Sequence, residues 1–142
     1  MAEVNTLVKT VIQVLNDGAR GYADIGEHLQ DSEAKSFFMK ESSTRATFAR
    51  EVAAAAGLSE DVGGTVSGAT HRIWGDLKAN LGGGDHTLLV TAEQGEDAAK
   101  KAYQEALESS EVTGSVRSVL QQQQPSIQAS HDRVKALRDS TK

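Results

Sequence analysis

The chain has 142 residues and 15.1 kDa, the size of one domain with a core of its own. It has no cysteine, which excludes disulfides, thiolate metal sites and cysteine nucleophiles; four histidines and twenty carboxylates leave only nitrogen and oxygen ligation. The formal charge of −5 is uneven, with ten Lys and Arg against seventeen Asp and Glu over 1–109 and five against three over 110–142. Phosphate binding needs a basic footprint that this balance does not offer, so nucleic acid is not expected as a partner.

The opening "MAEVNTLVKTVIQVLNDG" has no basic region ahead of an apolar run, and no apolar stretch is long enough to cross a bilayer. No membrane partner and a cytoplasmic location are the expectation. Abundant alanine and a single proline predict helices throughout. The first runs from about Val4 to Gln30, with Leu7, Val8, Val11, Val14, Leu15, Gly18, Tyr22, Ile25 and Leu29 on one broad face. Asp31 or Ser32 caps a second, in which Ala34, Phe37, Phe38, Phe48, Val52 and Ala55 face inward and Gly57 is the stop. A third, shorter helix spans about Val66 to Leu81, with Ile73, Trp74, Leu77 and Leu81 inward. "GGGD" ends it, and Asp85 is expected to cap a fourth helix whose inner face is Leu88, Leu89, Ala92, Ala99, Tyr103 and Ala106. Short turns between four helices favour an antiparallel bundle. In the tail, Val112, Val116, Val119, Leu120, Ile127, Val134 and Leu137 keep helical spacing across Pro125, which predicts a long element broken or bent there.

Polar residues interrupt these apolar faces. Glu96 follows Leu89 and Ala92 and precedes Ala99 and Tyr103, so it shares their face; Glu93 stands one turn before it. Glu41 and Arg45, four apart, fill the stripe between Phe37 or Phe38 and Phe48. Asp17 flanks Val14 and Gly18, and His71 lies one turn before Trp74. Buried acids must be paired, protonated or metal-bound. In one reading Arg45 compensates Glu41 or Glu96 in a salt-bridge network. In the other, Asp17, Glu41, His71, Glu93 and Glu96 hold iron, manganese or zinc between the helices, as in di-metal carboxylate bundles. Tyr103 is expected in the core with its hydroxyl on a buried acid. No phosphate loop, Ser-His-Asp arrangement or H-E-x-x-H occurs, and no catalytic residue is assigned.

The segments "LNDGARGY" (15–22), "STRATFAREV" (43–52), "GTVSGATHRIWGDLK" (64–78), "GEDAAKKAYQEAL" (95–107) and "HDRVKALRD" (131–139) resemble the DUF2383 family of bacterial four-helix-bundle proteins, grouped with ferritin-like bundles. The resemblance implies a fold and supplies no activity. Ferritin-like di-iron proteins typically use a carboxylate from two helices and an E-x-x-H from each of two others. Here Glu96 stands where Glu93 would be followed by histidine, and Thr44 where Glu41 would be.

The expectation is therefore an all-α, ferritin-like antiparallel four-helix bundle over 1–109 with an additional C-terminal helical segment over 110–142, in one domain. Its function is expected to be structural or interactive, with a buried carboxylate–arginine–histidine network, as a homo-oligomer or with a protein partner. The alternative is a di-iron or other divalent-metal protein that handles oxygen or peroxide.

Overall fold

The computed structural model describes the backbone of residues 2–58 and 68–141, with the side chains of residues 4–58 and 72–141. The described residues form five helices: α1 (Ala2–His28), α2 (Ser32–Ala56), α3 (Gly68–Asn80), α4 (Asp85–Glu108) and α5 (Gly114–Ser140). No strand occurs among the described residues.

Local chemistry sets most of the helix ends. The Asp31 carboxylate accepts a hydrogen bond from the Ala34 backbone N–H at 2.9 Å and opens α2. Gly57 closes α2 in the left-handed region at φ 69°, and the Gly57 and Leu58 N–H groups return to the carbonyls of Ala54 and Ala53. Asp85 does not cap α4, whose N-cap is Gly84. Its two carboxylate oxygens instead accept the backbone N–H groups of Gln30 (2.9 Å) and Asp31 (3.1 Å), tying the α1–α2 turn to the start of α4. Asp85→Ala is expected to cost about 0.5–2 kcal/mol in chemical denaturation, the loss typical of a helix cap. The last turn of α4 carries no basic residue, and Arg117 of α5 supplies the missing cation. Its guanidinium donates to the carbonyls of Val112 (2.6 Å), Leu107 (2.8 Å) and Ser109 (2.9 Å).

The packing is that of a ferritin-like bundle plus an extra helix. α1 lies between α2 and α4, and α5 packs on α4 and α2, so these four long helices form a closed ring. Asp85 places the start of α4 beside the start of α2, which makes α2 and α4 parallel across the ring's diagonal. Ring neighbours are antiparallel: Ser115 near the start of α5 reaches Ala55 near the end of α2, and Thr141 after α5 reaches His86 at the start of α4. Parallel α2 and α4 require one long crossover, the connection that distinguishes ferritin-like bundles. The short α3 belongs to that crossover and rests on α4 and α1. Thus α5 fills the fourth side of the ring, and α3 is the additional helix.

Two apolar clusters fill the ring. One is built around Val11, Leu15, Val52, Tyr103 and Leu120, the other around Tyr22, Ile25, Phe38, Leu88 and Val134. α5 contributes to both through Val116, Leu120, Gln123, Ile127, Ser130, Val134 and Leu137, alternately four and three residues apart. The helix is continuous through Pro125, which lies on its exposed face. Trp74 anchors α3: its ring occupies a slot between Gly21 of α1 and Gly95 of α4, where a Cβ at Gly95 would lie 2.7 Å from Cζ2. The same ring meets Tyr22 edge-on, with centroids 6.1 Å apart. Tyr22 stacks in the same manner on Phe38 at 4.9 Å.

Candidate functional site: a buried arginine–glutamate centre

Between the two apolar clusters lies a polar centre drawn from α1, α2, α4 and α5. Helix periodicity puts Arg45 on the inner face of α2 between Phe38 and Val52, and Glu96 on the inner face of α4 between Ala92 and Ala99. Both are removed from water, with relative exposures of 1% and 0%. Arg45 Nη2 lies 2.6 Å from each Glu96 carboxylate oxygen. The same nitrogen donates to Ser130 Oγ of α5 at 3.1 Å, and the Ser130 hydroxyl donates to Glu96 Oε1. Arg45 Nε donates to Glu41 Oε2 at 3.2 Å, one turn back on α2, where the acid is 16% exposed and reaches the edge of the bundle. On the α1 side the guanidinium carbon stands 5.1 Å from the centroid of the Tyr22 ring, a cation–π contact. Gly18 borders the guanidinium, and a Cβ there would lie 3.7 Å from Arg45 Nη1 in ordinary contact.

The electrostatics follow from this enclosure. Burial opposes the Arg45 charge, but Tyr22, Glu96 and Glu41 outweigh it and hold its pKa above the ordinary arginine value. Burial drives the Tyr22 phenol well above its ordinary value of 10.0; Glu96 adds to the rise and Arg45 opposes it. Tyr103, in the neighbouring cluster, is also raised by burial. Its hydroxyl donates to Gln123 Oε1 at 2.6 Å rather than to a buried acid, and the Gln123 amide donates to Glu51 (3.0 Å) and to the Phe48 carbonyl (3.3 Å).

These raised tyrosines predict alkaline sensitivity. Both phenols stay protonated in the folded chain above the pH at which unfolded tyrosine ionises. Their stabilising contribution is complete below about pH 10 and falls as pH rises beyond it. The expected slope is about 1.4 kcal/mol per pH unit for each tyrosine. Denaturation series from about pH 9 to 11.5 should show the decline, with a shallower one in Tyr103→Phe.

Of the five residues predicted as metal ligands, the four acids do not share one centre. Glu41 and Glu96 are brought together, but with the Arg45 guanidinium between them. Glu93 turns to Arg138 of α5, which also holds Asp139 at 2.8 Å. Asp17 faces Arg20 at 3.9 Å near the surface. The side chain of His71 lies outside the described residues. Among the described residues no group of three or more His, Cys, Asp or Glu could hold a metal ion. The described residues therefore do not fit the di-iron ligand set that a ferritin-like fold implies. A fixed cation occupies the space between Glu41 and Glu96, and the acids that would hold a metal are spent on arginines.

Residues 3–109 match the family described as a domain of unknown function, DUF2383. The chain belongs to the DUF2383 family. No curated protein matches it. The DUF2383 match takes in Tyr22, Glu41, Arg45 and Glu96 and stops before α5. The remaining members of the polar system, Ser130, Gln123 and Arg138, lie beyond the matched part and were not anticipated from sequence. Their signal was the alternating spacing of α5, in which Gln123 and Ser130 take positions that otherwise hold Leu120, Ile127 and Val134.

Proposed function

We propose that this DUF2383 protein is a non-catalytic structural or interaction bundle whose interior is organised by an arginine in place of a metal. The observation that carries the reading is Arg45, a fully buried guanidinium with Glu96 on one side, Glu41 on another and Tyr22 beneath. A site preformed for a divalent cation would not hold a permanent cation at its centre, because like charges in a low-dielectric interior repel strongly. A polar pair inside an apolar seam serves another purpose. Only one helix register brings Arg45 opposite Glu96 and Ser130, so the pair selects that register over slipped alternatives. No helix among the described residues is long and apolar enough to cross a membrane, and the reading places the bundle in water, as a homo-oligomer or bound to another protein.

Thermal melting before and after dialysis against a strong chelator tests the reading. A metal present at a hundred times its Kd would add about 2.7 kcal/mol, or roughly 10 °C at about 4 °C per kcal/mol. The expected result is the same melting temperature in both samples. A fall of that size on chelation would contradict the proposal.

A further inference from the structure

We propose that the open cleft between α1 and α3 binds a small aromatic zwitterion of amino-acid size. The cleft has a volume of about 390 Å³, within the range of small-molecule sites. Gly21 and Asp24 line it from α1, and Trp74, Gly75, Leu77 and Lys78 from α3.

Gly75 is the first reason. It lies inside α3, where glycine is unfavourable compared with alanine. The other helix-interior glycines nearby have a packing explanation: Gly21 and Gly95 admit the Trp74 ring, and Gly26 admits the Met39 side chain. At Gly75 a Cβ would meet no described atom within 4 Å. Among the described residues nothing calls for bare backbone there, whereas a flat ring lying on α3 beside Trp74 and Leu77 does.

Charge is the second reason. Asp17 and Arg20, at one end of the cleft, form an ion pair at 3.9 Å. Asp24 on the α1 wall and Lys78 on the α3 wall have no ion-pair partner among the described residues, although both line the same space. An acid on one wall and a base on the other suit a ligand carrying both an ammonium and a carboxylate, with the ammonium toward Asp24 and the carboxylate toward Lys78.

Trp74 is the chain's only tryptophan, so its emission reports directly on the cleft. The experiment titrates the full-length protein with phenylalanine, phenethylamine and 3-phenylpropionate, which carry both charges, the cation alone and the anion alone. Phenylalanine should give a saturable change with a Kd of about 1 mM or tighter. Asp24→Asn and Lys78→Gln should each weaken it about three- to fivefold, the range of an exposed ion pair. Gly75→Leu, which adds bulk at a position lining the cleft, should weaken it more than about tenfold with the fold retained. Should that variant misfold, the two charge variants carry the test, since Lys78 is exposed and Asp24 only partly buried. The proposal is overturned if phenylalanine gives no saturable change, if either singly charged compound binds as tightly, or if Gly75→Leu folds and binds normally.

Discussion

Glu96→Ala is expected to lower the free energy of unfolding by about 3–5 kcal/mol, measured by chemical denaturation. The size follows from what the substitution leaves behind. Arg45 cannot give up its proton and cannot reach water, and Glu41 on its other edge is the one acid still in contact. Ser130 would lose the carboxylate to which it donates. Small domains have a total stability of about 5–15 kcal/mol, so the variant should be folded at low temperature and melt early. The paired replacement Arg45→Met with Glu96→Leu is expected to behave very differently. Removing both charges together spares the desolvation of each, and such exchanges range from neutral to about 1–4 kcal/mol stabilising. The single and double variants therefore separate a costly orphaned charge from a net stabilising pair. A loss below about 1 kcal/mol in Glu96→Ala would mean that Glu96 is not buried against Arg45.

Gly21→Ala is expected to destabilise the protein by about 1–3 kcal/mol, although alanine is the better helix former. A Cβ at Gly21 would overlap Cζ3 and Cε3 of Trp74, and the ring cannot slide away because Gly95 bounds the slot on the α4 side. Trp74 must then leave the slot, taking α3 with it, and its emission should shift to longer wavelength. In a Trp74→Ala background the slot is empty, and the sign should reverse. There Gly21→Ala should stabilise by up to about 1 kcal/mol through helix propensity alone. Equal costs in both backgrounds would show that Trp74 does not occupy the slot.

The sequence carried the helices and most of their inner faces, because apolar spacing in long helices is a strong signal. Every inward position read for α4 is buried, Glu96 included. The reading of α2 placed Arg45 correctly inside, while Phe37 and Phe48 are only partly buried beside the core. Which helices close the ring was not legible. α3 and α5 both show apolar periodicity, and the deciding fact is that Asp85 caps a turn more than fifty residues earlier. The glutamine run before Pro125 looked like a break, yet Gln123 faces inward because Glu51 and the Phe48 carbonyl of α2 and Tyr103 of α4 complete its hydrogen bonds. Partners of buried polar groups come from distant segments, so periodicity reveals that Glu96 needs a partner without revealing which of several cations supplies it.

Arg45 meets Glu96 where a ferritin-like bundle would otherwise place metal. Elemental analysis of protein purified without chelator and again after anaerobic loading with iron(II), in wild type and Glu96→Gln, tests this most directly. The expected result is far less than one metal ion per chain in every sample, with no difference between the two proteins. Stoichiometric iron in the wild type that disappears in Glu96→Gln would contradict it.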